Sequence, residues 1–138
     1  MTTRTRWLLP ALTLLVAASG CGGPLVKVTG RLMYKGQPVP STTVTFHPDE
    51  EGKRASQGIT DDEGHFTLTN SKSDMGALRG KHTVTLRYHL SADEEMGKTK
   101  PKASKELKEI IKKYGDLKTS PLHYEVTHNG QVVEINLD

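Results

Sequence analysis

The chain has 138 residues, a mass of 15.2 kDa and a formal net charge of +3. That length suits one domain. No apolar run reaches the roughly 20 residues of a permanent bilayer-spanning helix, which excludes a multi-span membrane protein. The single cysteine excludes an internal disulfide framework and a cysteine-rich zinc site.

Residues 1–20 read as an address rather than as fold. Arg4 and Arg6 precede an apolar stretch from Leu8 to Ala18, too short to stay in a membrane as a helix. Ala18, Ser19 and Gly20 then lead to Cys21, the only cysteine. Ala18-Ser19-Gly20-Cys21 resembles the bacterial lipobox, with Ala18 where leucine is usual. The resemblance implies cleavage between Gly20 and Cys21, acylation of the Cys21 thiol, and a lipidated tether over 21–26. One acyl chain anchors reversibly, at about 0.8 kcal/mol per buried methylene; two or three hold firmly. Gly22, rather than aspartate, follows the cysteine. By resemblance to enteric lipoprotein sorting, that favours the outer membrane or a periplasm-facing site over free secretion. Cleavage removes Arg4 and Arg6, leaving 17 of the 19 basic residues against 16 acidic ones. The basic pI of the full chain is therefore no sign of nucleic-acid binding.

The remaining chain reads as seven short strands, each apolar on one face. The first alternates Val26, Val28, Gly30 and Leu32, with Tyr34 in register, and breaks at a Gly36-Gln37-Pro38 turn. Thr43 to His47 places Val44 and Phe46 on one face. Ala55 to Thr60 is weaker, its Gly58 marking an edge or bulge. After the Asp61-Asp62-Glu63-Gly64 turn, His65 to Thr69 points Phe66 and Leu68 inward. His82 to Tyr88 alternates Val84, Leu86 and Tyr88 against Thr83, Thr85 and Arg87. Leu122, Tyr124 and Val126 form the sixth strand, and Val133, Ile135 and Leu137 the seventh. Asn129-Gly130 between them is the preferred pair for a two-residue type I′ hairpin. In the acidic turn, Asp62 is expected to accept backbone N–H groups and Gly64 to take a positive φ.

One stretch, about 98–118, breaks the alternation. Leu107, Ile110, Ile111 and Tyr114 recur at helical spacing. Ser104 suits the N-cap, Gly115 the C-terminus, and Glu109 with Lys113 an i,i+4 pair. The expectation is one short helix, Ser104 to Tyr114, with its apolar stripe packed inward. Its lysines, Lys105, Lys108, Lys112 and Lys113, then form a candidate partner-binding face.

These segments resemble the carboxypeptidase regulatory-like domain over about 27–90 and 119–138. Val28-Thr29-Gly30 followed by Gly36-Gln37-Pro38-Val39 matches its opening strand and turn. Thr60-Asp61-Asp62-Glu63-Gly64-His65-Phe66 matches its "T-D-x-x-G-x-F" turn, and Leu78-Arg79-Gly80-Lys81-His82-Thr83-Val84 a later strand start. The resemblance implies a mainly β fold over 27–138. It would be a seven-stranded Greek-key sandwich of transthyretin or prealbumin type, Ig-like, with one short inserted helix. It implies no peptidase activity.

Chemistry is sparse. The six histidines show no HExxH spacing; His47, His65 and His123 alternate with core residues and should face solvent. The better reading for all six, His82 included, is a solvated or edge position. Asp61, Asp62 and Glu63 lack EF-hand spacing. No GxSxG or SxxK is present. The hydroxyisourate hydrolases that share the transthyretin-like fold carry a C-terminal Tyr-Arg-Gly-Ser, whereas Asn136-Leu137-Asp138 stands here. Lys27 and Asn136 are the pair that an adhesin-type isopeptide cross-link would need, but alternation turns Lys27 outward. The expectation is a non-enzymatic envelope lipoprotein without cofactor or metal, binding an envelope protein or glycan and no nucleic acid. The runner-up is an accessory subunit docked through its lysine-rich helix.

Overall fold

The computed structural model describes residues 25–138. The expected leader, its Gly20–Cys21 cleavage site and most of the expected tether lie outside the described residues. In chain order the elements are β1 (Val28–Tyr34), β2 (Gln37–Pro38), β3 (Thr42–Pro48), β4 (Ser56–Ile59), β5 (His65–Thr67) and β6 (Gly80–Tyr88). They continue with α1 (Ala92–Glu95), α2 (Lys105–Tyr114), β7 (His123–Val126) and β8 (Gln131–Leu137). The fold is mainly β, in two sheets. All seven expected strands are present, because each carries a period-2 apolar face that must be covered.

One sheet runs β4-β3-β6-β7, antiparallel throughout. In the other, β1 is central. β8 pairs with it in parallel along its whole length, from Val28↔Gln131 to Tyr34↔Leu137. β2 and β5 pair antiparallel with β1 at its two ends. The sheets share one core in which Leu32, Val44, Phe46, Leu68, Leu86 and Ile135 are fully buried. Phe46 and Phe66 approach across it with ring centroids 6.5 Å apart.

Several expectations are corrected. An eighth strand, β2, folds back on β1 through Lys35 and Gly36, both at positive φ (48° and 80°). That two-residue turn has the backbone signature of type I′, so the tight hairpin lies here and not at Asn129-Gly130. β7 and β8 belong to different sheets, and the Asn129-Gly130 turn carries the chain between them. Its side chain and backbone clamp the start of β1: Lys27 N–H donates to Asn129 Oδ1 at 2.8 Å, and Gly130 N–H to Lys27 O at 2.9 Å. Lys27 is exposed, and Asn136 opposes Met33 at the far end of the ladder. The two are too far apart to cross-link.

The helices also differ from expectation in number. α2 runs as read, capped by the Ser104 hydroxyl, which accepts from Leu107 N–H at 3.1 Å. Leu107, Ile110 and Tyr114 join the core against β6. Gly115 stays right-handed (φ −87°) rather than adopting the left-handed cap; Asp116 makes the turn, accepting from Lys118 N–H at 2.7 Å. The Glu109–Lys113 pair does not form, because Lys113 Nζ turns over the Tyr114 ring, 5.0 Å from its centroid. A second helix, α1, was not expected. Ser91 and Glu94 form a reciprocal capping box around it, a Ser-x-x-Glu pattern present in the sequence.

Candidate functional site

The two ends of the domain differ. β1, β6 and β8 start together: Val26 exchanges backbone hydrogen bonds with Ala77 just before β6, both 2.9 Å, while Gly130 holds Lys27. At the other end, Tyr34 closes β1 and Tyr88 closes β6. There the chain gathers its irregular segments around a groove of about 880 Å³. Leu107 and Ile110 of α2 line it from one side, and Pro38 to Ser41 from the other. Tyr34, Tyr88, His89 and Lys102 also line it.

Glu94 organises that rim. It accepts from the Tyr88 hydroxyl and from the backbone N–H groups of Ser91 and Lys102, each at 2.8 Å. Those hydrogen bonds, the Ser91 and Lys102 amides foremost, stabilise the carboxylate and pull its pKa down to about 2. A charged Glu94 therefore staples α1 and residue 102 to the end of β6. Periodicity did not reveal this groove, because its lining comes from three separated segments; the capping pattern at Ser91 was the only local trace.

The residues singled out from sequence occupy other places. In the turn before β5, Asp61 and not Asp62 is the acceptor. Its Oδ1 takes the N–H groups of Glu63 and His65, both at 2.9 Å. Asp62 is exposed, one residue too late to sit under those amides. Gly64 has φ +80°, and a Cβ there would lie 2.4 Å from Leu32 O. Phe66 is buried. Asp61, Gly64 and Phe66 thus serve the fold.

Lys105, Lys108, Lys112 and Lys113 are all exposed on α2, none in an ion pair among the described residues. They form a basic face beside the groove, with Lys112 and Lys113 complementing the C-terminal helix dipole.

The histidine expectation fails at His82, which is 1% exposed. Its Nδ1 lies 2.9 Å from Gly80 O, its ring packs 5.8 Å from Phe46, and its Nε2 has no partner among the described residues. Burial lowers its pKa, against smaller upward effects of the Gly80 carbonyl and Asp49. Its own strand parity, shared with Val84 and Leu86, is the signal that placed it inside. His47 is half-buried, with Nε2 2.9 Å from Thr85 Oγ1. Among the described residues no His, Cys, Asp or Glu side chains converge as a metal-ligand set. No helix among them is long and apolar enough to cross a membrane.

No protein-family model, no curated protein and no solved structure matches the chain.

Proposed function

We propose that the chain is a non-enzymatic bacterial envelope lipoprotein, anchored by an acylated Cys21, whose β domain is a binding or scaffolding module. The observation that carries this reading is the lone cysteine, placed directly after a basic and apolar leader and small residues. In this reading the two sheets form a Greek-key sandwich of transthyretin type. The groove rimmed by Tyr34, Tyr88 and Glu94 supplies the surface for an envelope protein or glycan.

Intact mass of the membrane-fraction product, after expression of the full chain in a bacterial host, tests the anchor. The expected mass is residues 21–138 plus two or three acyl chains. A soluble product with a free Cys21 thiol overturns the proposal. Hydrolase activity abolished by one point substitution within the domain would refute the non-enzymatic part.

A second reading is an accessory subunit that docks an acidic partner or envelope polymer through α2. It is favoured by four exposed lysines, none in an ion pair among the described residues, on a helix whose apolar stripe packs inward. Exposed electrostatic contacts of this kind weaken with salt. Replacing Lys105, Lys108, Lys112 and Lys113 with Gln should then release the partner in native-membrane crosslinking. Unchanged retention excludes this surface.

A further inference from the structure

Val26 is pinned by two backbone hydrogen bonds to Ala77. Only residues 22–25 separate it from Cys21. A fully extended chain advances at most about 3.6 Å per residue, so Val26 lies within about 18 Å of Cys21. An acylated Cys21 therefore holds the Val26 end of the domain against the bilayer surface.

The side chains at that end suit such a neighbour. Met75, beside Gly76 and Ala77, is 57% exposed. The Gly76 backbone lies so close to Val26 that a Cβ there would sit 2.2 Å from Val26 O, which fixes Met75 next to the tether. Lys27, Lys72 and Arg79 are exposed around it, and none makes an ion pair among the described residues. Of the described carboxylates at this end, Glu50 alone pairs with a cation, while Asp74 and Asp49 keep their charge within local hydrogen bonds. Asp74 accepts from the Ser71 hydroxyl at 2.6 Å, Asp49 accepts from that of Thr83 at 3.1 Å, and Glu50 lies 3.5 Å from Lys53. Glu51, and Glu125 opposite Lys81 on β7, are exposed acids outside any ion pair among the described residues.

We propose that the Val26 end is a lipid-contacting surface for anionic phospholipid headgroups. Lys27, Lys72 and Arg79 meet the phosphates, and Met75 seats at the boundary between headgroups and acyl chains. The proposal rests on the lipoprotein reading. A basic surface adds to an acyl anchor as a second membrane signal. It also separates two basic surfaces by role. The Val26 end meets the anchoring bilayer, whereas the groove and the α2 lysines, at the Tyr34 and Tyr88 end, point away from it.

Trp7, the only tryptophan, lies in the leader, so Met75→Trp gives the processed protein a single reporter. The acylated protein is placed in phosphatidylcholine–phosphatidylglycerol vesicles carrying brominated acyl chains. Emission from Met75→Trp should shift to the blue and lose most of its intensity. Met96→Trp is the matched control, since Met96 is 61% exposed beside α1; it should keep a water-like, unquenched spectrum. Ser73→Trp is the alternative reporter if Met75→Trp misfolds. Adding Lys27→Gln, Lys72→Gln and Arg79→Gln should restore emission while the mass contributed by the acyl chains stays the same. Acylated protein whose Met75→Trp and Ser73→Trp spectra match Met96→Trp overturns this inference alone. A product without acyl mass overturns the lipoprotein reading and this inference with it.

Discussion

At the residue scale, His82 is the side chain most at odds with its chemistry. Its Nε2 has no partner among the described residues, and burial depresses its pKa below the ordinary value near 6.5. His47, beside it on β3, is also lowered, by burial first and then by Arg87 and His82. The unfolded chain takes up these protons more readily than the folded one. Stability is therefore complete at neutral pH and falls as pH drops below about 6.5. Urea denaturation from pH 7.5 to 5 should show that loss, and His82→Phe should reduce it. An acid limb of unchanged slope in the variant would assign the effect elsewhere. Gly30 presents a steric case. A Cβ there would lie 2.4 Å from Phe66 Cζ and 2.5 Å from Val133 O, so the ring and the neighbouring strand leave no room for alanine. Gly30→Ala should cost about 1–3 kcal/mol in chemical denaturation.

At the element scale, α2 has two unlike faces, and substitutions should separate them. Ile110, 2% exposed, anchors the helix on β6; Ile110→Ala should cost about 2–5 kcal/mol. The four lysine-to-glutamine changes should move stability by no more than about 0.5 kcal/mol, since those side chains face water. A large loss from the lysine variant would mean that the basic face serves the fold. α1 has no buried residue and depends on Glu94. Its carboxylate pKa near 2 lies below the ordinary range, so its stabilising bonds hold at neutral pH and disappear as pH falls toward 2. Glu94→Ala should speed amide exchange across residues 91–102 and leave β1, β3 and β6 protected. The sheet edge shows how α2 earns its place. β7 covers β6 only from Gly80 to Thr83; beyond that, the Ser120 hydroxyl donates to Val84 O and Val84 N–H donates to Leu122 O. The chain leaving α2 thus satisfies an edge that would otherwise be open.

At the scale of the whole molecule, the two ends of the domain carry different surfaces. The pairing of β8 with β1 in parallel brings the last strand beside the first, so that Gly130 meets Lys27 and Leu137 meets Tyr34. The Val26 end is thereby stitched by strand starts, and the opposite end is free to build a groove from loops and helices. Under the proposed anchoring at Cys21, this division would leave the groove on the side away from the membrane.

Periodicity determined every strand but β2, because burying one face of a strand imposes a two-residue repeat on the sequence itself. The same held for α2, whose Leu107, Ile110 and Tyr114 stripe is a local property. Local signals did not determine partners. Asn129-Gly130 favours a tight hairpin in isolation, yet β7 and β8 gain more by completing different sheets. Lys35-Gly36 makes the hairpin instead, because β2 finds the open half of the β1 edge. Asp61 rather than Asp62 holds its turn, since only Asp61 sits beneath both amides once the chain reverses. The burial of His82 was partly written in its parity with Val84, but its want of a partner depended on Phe46 and the strands around it. The groove depended wholly on tertiary structure, for its walls lie at 34–41, 88–94 and 102–110, and only packing on β6 brings them together.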